Sequence, residues 1–560
     1  MKNFLVKFAT KRVIAILVTV VLVITLLALS GFSKGKTVDG SSVYSEEGKK
    51  AMEEKDESQY SSDYVTLRVD LHGWTPTTTT SSSTGVSSYN SPKIIANQFE
   101  AEMRSRLAEE RGMDENDVGY PVRIEWVRDK KISVSNEQMS EYFQLQLTRK
   151  TTPTIAFTWG TNFQDAGWYV DLTEFLNEKN TYETDATLKN NEHWKDSFED
   201  YLWQLDSIRQ LDGKIAAVPI TLFDGTASAI VYNSDAIYNN SSIRSLLDGN
   251  RYLGVSKQLD FADWMKIVNA ASGNAATKII DTENYPYAAD SWLFQFELGP
   301  AYMSYFEDHF YGGRHISGEE LLRAIIKDEL NPVKQAYVRE LLGNVKAYMS
   351  YLNDSSTETT TWDNGTAYAK VVGSWAYTNE KTSNPIGSKF NWEMVPSTVI
   401  DETSAYTRDF VSWEKGIASA RPAADLYLNI MKAGVTNDGT LTGTINETKL
   451  RYAVEFLKYL TTKANNSTMI TEMNTSLGAV KGATMPSWIN TSKFKDCYFA
   501  KTTTVRGWPN GFTTSARGQM SALISKWVKG QIGDSDFYSG WDRWQKIGAR
   551  AMAKSLNITL

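Results

Sequence analysis

The sequence predicts an α/β fold in which helices cover a mainly parallel sheet. Residues 64–74, "YVTLRVDLHGW", and residues 121–129, "PVRIEWVRD", alternate apolar and polar positions as half-buried strands do. Residues 93–112 lie between them and carry apolar side chains at helical spacing, and residues 152–160, "TPTIAFTWG", form a third short apolar run. This order of strand, helix and strand favours parallel strands that are connected by helices.

The rest of the chain repeats the pattern. Residues 212–237 predict two strands joined by a polar crossing. In "GWYVDLTEFL", Asp171 or Thr173 is expected to cap a helix that starts near Glu174. Apolar residues at every third or fourth position predict helices at 261–272, 320–330, 422–434 and 449–463. Shorter apolar runs predict strands within 367–380 and 390–397.

The amino terminus predicts export and attachment to a membrane. Four basic residues precede residues 13–32, a stretch of 20 residues without a charge, which as a helix spans about 30 Å, the thickness of a bilayer core. The segment is either an uncleaved anchor or a signal that is cleaved after Ala28-Leu29-Ser30. Leu29, Ser30 and Gly31 nearly spell a lipoprotein processing site, but Phe32 stands where the acylated Cys would be. Residues 33–62 are polar and predict a linker.

Composition excludes several classes of function. The formal net charge of -7 and the lack of a long basic run argue against nucleic-acid binding. Cys497 is the only cysteine and the four histidines lack ligand spacing, so neither a disulfide nor a metal site is expected. The sequence contains no phosphate-binding glycine loop and no G-x-S-x-G elbow, so we predict neither a cofactor nor catalysis. A catalytic site made of two carboxylates stays an open alternative, because the spacing of such residues in the sequence is not diagnostic.

Aromatic and polar residues gather where predicted strands end. The loop "TWGTNFQDAGW" carries Trp159, Asn162, Asp165 and Trp168 after the third strand, and Trp74 ends the first. In parallel sheets ligands bind at the carboxyl ends of strands. Aromatic faces that stack and amide or carboxylate edges that take hydroxyls suit a polyol ligand. For each aromatic residue, packing in a core is the alternative.

The motifs "TPTIAFTWGTNFQDAGWYVDLTEFL", "LDGKIAAVPITLFDGTASAIVYNSDAI", "AYAKVVGSWAY" and "AVEFLKYLTTKANNSTMITEMNTSLGAVKGA" make the chain resemble the carbohydrate-type extracellular solute-binding proteins of ABC sugar importers. The resemblance implies a periplasmic-binding-protein-like fold of two α/β lobes joined by a hinge, preceded by the transmembrane or signal helix. The chain would cross this hinge three times, near residues 219–232, 392–396 and 463–473. Residues 1–32 would be the signal or anchor and 33–62 the linker; lobe one would hold 63–219 plus 393–465, and lobe two 220–392 plus 466–560.

The resemblance also implies a ligand site between the lobes. The residues carried over are Trp375 in "VGSWAY", Trp159, Asn162, Trp292, Phe294, Asp224 and Trp74. The expected function is the capture of a carbohydrate, preferably an oligosaccharide, and its delivery to ABC permease subunits. The protein is expected to be a monomer at the outer face of the bacterial cytoplasmic membrane. Its N-terminal helix would hold it there, or signal cleavage would release it. A sugar receptor for a sensor kinase and a glycoside-active enzyme are the alternatives.

Overall fold

The computed structural model of the protein describes residues 55–71, 76, 91–127, 136–158, 167–205, 207–223, 229–246, 261–273, 279–282, 287–289, 291, 293–294, 298–353, 362, 365–371, 390–396, 423–424, 426–473, 476–485 and 507–560. Within these ranges no helix is long and apolar enough to cross a membrane. The apolar stretch 13–32, predicted to be an anchor or signal, lies outside them.

Strands and helices alternate along the described parts of the chain. The strands are β1 (Tyr60–Asp70), β2 (Tyr120–Trp126), β3 (Ile155–Ala156), β4 (Ala217–Pro219), β5 (Thr221–Phe223), β6 (Ala229–Asn233), β7 (Ile280–Thr282), β8 (Ala369–Val371), β9 (Trp392–Pro396), β10 (Ala423–Ala424), β11 (Tyr427–Ile430) and β12 (Leu477–Gly478). The helices are α1 (Ser91–Arg111), α2 (Asn136–Thr148), α3 (Thr173–Leu176), α4 (Ser234–Asn239), α5 (Ser241–Leu246), α6 (Phe261–Ala271), α7 (Gly299–Tyr311), α8 (Gly318–Ile326), α9 (Ala336–Met349), α10 (Glu447–Leu460), α11 (Lys463–Met473), α12 (Thr514–Val528) and α13 (Asp534–Ser555).

Three sheets organise these elements. A five-stranded sheet has the order β2-β1-β3-β11-β4, a three-stranded sheet the order β10-β5-β12, and a four-stranded sheet the order β7-β8-β6-β9. β1 is parallel to both β2 and β3, but β11 is antiparallel to β3 and β4, and β6 is antiparallel to β8 and β9. The α/β class is confirmed. The expectation of a mainly parallel sheet is wrong, because antiparallel strand pairs occur in both larger sheets.

Two large apolar cores lie on these sheets. The first core packs the five-stranded sheet against α1 and α10 and includes Leu67, Phe99, Ile155 and Val454. The second core packs α6 to α9, α12 and α13 against the four-stranded sheet. The neighbouring side chains Val231 and Tyr232 of β6 belong to the first and the second core respectively, because successive side chains of a strand point to opposite faces.

The first strand starts earlier than the sequence predicts. β1 begins at Tyr60 rather than near residue 64, and residues 57–59 form a 3-10 turn before it. The ammonium of Lys55 lies 2.6 Å from Glu100 Oε2, and the backbone N–H of Ile124 donates to Glu100 Oε1 at 2.6 Å. Residues 55–62 are therefore part of the folded unit, and the predicted linker 33–62 ends sooner than expected.

Residues 422–434 are not the predicted helix. They contain β10, β11 and a 3-10 turn at Lys432–Gly434. All four residues of β11 are buried because this strand lies between β3 and β4 and is covered on both faces. Gly434 permits the close approach of the segment just before β3, since a Cβ there would lie 2.0 Å from the carbonyl oxygen of Pro153.

Several other predictions are confirmed. The sequence-predicted helices at 93–112, 261–272, 320–330 and 449–463 match α1, α6, α8 and α10. The expectation that Asp171 or Thr173 caps the next helix is wrong, because α3 begins at Thr173 and Leu172 stands at its N-cap without a side-chain hydrogen bond. The carboxylate of Asp171 instead accepts hydrogen bonds from the backbone N–H and the hydroxyl of Thr173 in the turn before α3. A feature that the sequence analysis did not predict is the reciprocal capping box that Ser317 and Glu320 form at the start of α8.

The chain passes between the sheets at positions that differ in part from the predicted crossings. It leaves the five-stranded sheet at β4 and enters the four-stranded sheet at β6, within the predicted crossing 219–232. The predicted crossing 392–396 is strand β9 itself, and 463–473 is helix α11. The first core continues through Met469, Leu477 and Val480, beyond the predicted lobe-one limit at residue 465. The lobe boundaries themselves stay a prediction.

Candidate ligand-binding site

The carboxyl ends of β1 and β3 lie side by side in the five-stranded sheet. Asp70 pairs with Ala156, and the backbone N–H of Phe157 donates to the carbonyl oxygen of Asp70 at 2.8 Å. Thr158 follows and is the last described residue before the loop that carries Trp159 and Asn162. The edge from which this loop departs is the edge at which parallel sheets bind ligands.

A chain of buried hydrogen bonds fixes the end of β3. The hydroxyl of Tyr169 donates to Thr158 Oγ1 at 3.0 Å, and Thr158 Oγ1 donates to Asn429 Oδ1 at 2.9 Å. Asn429 Nδ2 then donates to the carbonyl oxygen of Ala216 at 2.9 Å. Thr158 and Asn429 are only 1% and 2% exposed, so their polar atoms depend on one another. This series of hydrogen bonds joins β3, β11 and the residue before β4. It therefore fixes the point at which the loop after Thr158 leaves the sheet.

A carboxylate and an aromatic pair complete this edge. Asp70 is the last residue of β1, and its Oδ2 accepts a hydrogen bond from the hydroxyl of Tyr142 at 3.1 Å. The rings of Phe157 and Tyr427 meet edge to face, with centroids 5.2 Å apart. Asp70, Phe157 and Tyr427 are 7%, 3% and 4% exposed, so they support the base of the loop that departs here rather than offer contacts to a ligand.

Most of the sequence-predicted ligand residues lie outside the described residues: Trp74, Trp159, Asn162, Asp224, Trp292 and Trp375. The described strands indicate where the chain approaches three of them. Trp159 comes three residues after the end of β3 in the sequence, Asp224 directly follows β5, and Trp375 comes four residues after the end of β8. Their contacts with a ligand and with one another stay predictions.

Phe294 and Trp168 have described positions in packed cores. The Phe294 side chain is 0% exposed, and its ring lies 5.5 Å from that of Trp541, centroid to centroid. Its carbonyl oxygen accepts a hydrogen bond from the backbone N–H of Trp508 at 2.9 Å. Trp168 is 4% exposed and packs with Tyr169 in a small third core. The packing alternative accounts for both rings, and a ligand contact by Phe294 stays a prediction without support from its burial.

The polar residues that fix this edge were not found from the sequence. The sequence analysis places Thr158, Tyr169 and Asn429 in separate predicted segments. No short spacing links these segments, since Thr158 and Asn429 are 271 positions apart. One signal was present: Asn429 interrupts the apolar run "LYLNIM". A polar residue inside such a run needs a buried hydrogen-bond partner.

Two of the pKa shifts belong to ion pairs that hold helices α8 and α10. The hydrogen bonds from Arg314 and from the backbone of Ser317 lower the pKa of Glu320 to about 2. Burial raises the pKa of Glu178, but hydrogen bonds from Arg451 and Lys458 outweigh it and lower that pKa overall. In the described part of the chain no group of three or more His, Cys, Asp or Glu residues could hold a metal ion.

These sheets form a mixed α/β fold in which the chain passes between the sheets more than once. Among solved structures, the chain is similar to a "Chitin oligosaccharide binding protein", with a TM-score of 0.50 and 13% identity over 88% of this chain and 100% of that chain. The mixed α/β fold that the resemblance implies is thereby confirmed, whereas the preceding helix and the division into two lobes stay predictions.

Two further structures align less closely. They are the sugar-binding protein MalE from the phytopathogen Xanthomonas citri, with a TM-score of 0.48 and 10% identity over 88% of this chain and 98% of that chain, and the cyclic alpha-maltosyl-1,6-maltose binding protein from Arthrobacter globiformis, with a TM-score of 0.46 and 10% identity over 87% and 99%. No protein-family model and no curated protein matches the chain.

Proposed function

We propose that this protein is the extracellular substrate-binding component of an ABC importer. It captures a carbohydrate, preferably an oligosaccharide, between two lobes and delivers it to a membrane permease. The observation that carries the proposal is the fold, which aligns over 88% of this chain with the whole of a chitin oligosaccharide-binding protein.

The edge of the five-stranded sheet supports the same proposal. The hydrogen bonds among Tyr169, Thr158 and Asn429 hold the base of the loop that carries Trp159 and Asn162. A rigid base reduces the entropy that is lost when loop side chains close on a ligand. Aromatic rings then cover the apolar faces of a sugar, and amide groups pair with its hydroxyls. Capture needs no bond to be broken, so the protein is proposed to act without catalysis.

Delivery follows from the change of shape on binding. A ligand that binds the closed arrangement more tightly than the open one shifts the population towards closure, by no more than that difference in affinity. The permease distinguishes loaded from empty protein by this shape. The proposed hinge lies where the chain leaves β4 and enters β6.

A thermal-shift screen against a glycan panel tests the proposal. The tested chain begins at Lys55, because β1 and the contacts of Lys55 belong to the fold. A bound sugar raises the melting temperature by mass action, worth about 2.7 kcal/mol at a hundredfold excess over the dissociation constant. Trp159→Ala and Trp375→Ala are expected to remove the shift, whereas Ile547→Ala, at a residue 39% exposed on α13, leaves it unchanged.

Two outcomes would contradict the proposal. Stabilisation by peptides or metal ions but by no sugar would overturn the ligand class. Release of shorter sugars from labelled oligosaccharides would show catalysis, and the protein would then be an enzyme that uses two opposed carboxylates.

A further inference from the structure

A short sheet carries the chain between the two cores. Among the described strands, β10, β5 and β12 pair only with one another. β5 comes between β4 of the five-stranded sheet and β6 of the four-stranded sheet, and β10 comes between β9 of the four-stranded sheet and β11 of the five-stranded sheet. β12 follows α11, which contributes Met469 to the first core, and precedes α12, which contributes Met520 to the second. Each strand of this connecting sheet therefore lies on a passage of the chain between the two cores.

The strands of the connecting sheet are very short. β10 and β12 have two residues each, and β5 has three. β5 pairs with each of its neighbours through two residue pairs. So small a ladder of hydrogen bonds is marginal in water. The position of the connecting sheet relative to the first core therefore depends on further bonds.

A buried asparagine supplies such bonds. Asn466 lies in the first turn of α11 and is 0% exposed. Its Nδ2 donates to the carbonyl oxygen of Ile220 at 2.7 Å, and its Oδ1 accepts from the backbone N–H of Val480 at 3.3 Å. Ile220 lies between β4 and β5, and Val480 comes shortly after β12. The side-chain amide has the donor and the acceptor of a peptide unit, so it extends the pairing of two passages past the ends of their strands.

The surrounding residues hold Asn466 in this position. Glu183 Oε2 accepts from the backbone N–H of Lys463 at 2.8 Å and so fixes the start of α11. Gly478 leaves room for the amide, since a Cβ there would lie 2.7 Å from Asn466 Oδ1. The side chain is therefore placed by its own helix and by the strand that it supports.

A threonine joins the remaining passage to the same point. Thr221 Oγ1 accepts from the backbone N–H of Leu426 at 3.0 Å. The carbonyl oxygen of Leu426 accepts from the N–H groups of Ile220 and Thr221 at 2.8 and 3.0 Å. We call five residues the junction: Ile220, Thr221, Leu426, Asn466 and Val480. Each is at most 2% exposed, so water cannot replace a lost partner.

We propose that Asn466 is a positioning residue that sets the arrangement of the second core relative to the first. This rests on the proposed function, in which capture depends on two lobes that close on a ligand. Ile220, Leu426 and Val480 pack in the first core, so the connecting sheet is held at that end. Its direction fixes where the chain departs towards the second core. Loss of the Asn466 bonds frees that direction, and fewer molecules then adopt the arrangement that binds the ligand.

Energy transfer between two dyes on one molecule tests the arrangement without a ligand. The full chain is kept in mild detergent because of its apolar stretch at residues 13–32, and Cys497→Ser removes its only cysteine. One dye is attached through Glu115→Cys, in the exposed turn before β2. The other is attached through Lys554→Cys, at an exposed position near the end of α13. The two dyes thus report the distance between the first and the second core.

The test variant is Asn466→Leu, and Asn180→Leu is its matched control. Leu has nearly the volume of Asn but neither its donor nor its acceptor. Asn180 is 5% exposed, donates to the carbonyl oxygen of Lys458 at 2.8 Å and accepts from the N–H of Tyr182 at 3.1 Å. It therefore bridges two backbone groups as Asn466 does, but away from the connecting sheet.

We expect one narrow distribution of transfer efficiencies for the unmodified chain and for Asn180→Leu, and a broader one for Asn466→Leu, although both substitutions lower the urea midpoint. If Asn466→Leu does not fold, Thr221→Val decides, with Thr221→Ser as the control that keeps the hydroxyl. An unchanged distribution in the deciding variant would overturn the proposal. Equal broadening by Asn180→Leu would also overturn it, because the effect would then follow from lost stability alone.

Sugar binding separates this proposal from the proposed function. The apparent dissociation constant rises in inverse proportion to the fraction of molecules in the binding arrangement. Asn466→Leu should therefore raise the constant for the sugar found in the glycan screen by about three- to tenfold, whereas Asn180→Leu should leave it within about twofold. An unchanged constant for Asn466→Leu would overturn its role in capture. Absence of sugar binding by the unmodified chain would overturn the proposed function, while energy transfer would still decide whether Asn466 sets the arrangement.

Discussion

Replacing Thr158 with Val should destabilise the edge of the five-stranded sheet and weaken ligand binding. The two side chains have almost the same shape, but Val lacks the hydroxyl that accepts from Tyr169 and donates to Asn429. Asn429 is 2% exposed, so water cannot replace the donor that its Oδ1 loses. A buried polar atom left without its partner costs about 1–3 kcal/mol, and the lost bond from Tyr169 adds about 1 kcal/mol. The expected loss is about 2–4 kcal/mol.

Urea unfolding of the wild type and the variant measures this loss through the shift of the midpoint at a constant slope. Thr158→Ser keeps the hydroxyl and is the control, with an expected loss below about 1.5 kcal/mol for one buried methyl group. The affinity for the sugar found in the glycan screen should fall for Val and not for Ser. A loss below about 0.5 kcal/mol for Val, within the range of neutral surface substitutions, or equal losses for Val and Ser, would refute the role given to these hydrogen bonds.

Three further predictions concern stability. The pKa of Glu320 is lowered to about 2 from 4.5, so its contribution to stability is complete above pH 4.5 and is lost as the pH falls towards 2; Glu320→Gln should flatten this part of the pH dependence in urea unfolding. Gly434→Ala should lower the free energy of unfolding by about 1–3 kcal/mol, because the new Cβ would overlap the carbonyl oxygen of Pro153. The control Gly343→Ala lies in α9 with open space around it and should raise the free energy of unfolding by about 0.5–1 kcal/mol in the same assay. Phe294→Ala should cost about 3–5 kcal/mol as a core truncation, and Phe294→Leu should leave the sugar dissociation constant unchanged; a lower affinity without lower stability would make Phe294 a ligand contact.

Sequence periodicity predicted the elements that have one buried and one exposed face. Helix α10 places Leu450, Val454 and Leu457 in the first core while its other face meets solvent, so the spacing of its apolar residues was informative. β11 has no exposed face, and its residues carry no alternation that would separate a strand from a helix. Its strand form is set by β3 and β4 on either side, which the sequence of residues 422–434 does not contain.

The same reasoning explains what could be predicted of the candidate site. The loop after β3 was predicted to carry ligand residues because ligand-type side chains follow a recognisable strand, and only the strand is confirmed. The hydrogen bonds that hold its base depend on Asn429, which reaches Thr158 only after β11 has entered the sheet. Contacts between residues so far apart in the chain are a property of the topology and not of local sequence.

The position of β11 between β3 and β4 has a consequence for how the protein forms. Both of its neighbours are made more than two hundred residues earlier in synthesis, and until Tyr427–Ile430 arrive they present unpaired strand edges. Closing so long a loop slows folding and prolongs exposure of those edges. The second core cannot be completed in the meantime, because it includes α12 and α13, which follow β11 in the chain. Newly made molecules should therefore depend on chaperones that shield the five-stranded sheet until β11 is in place.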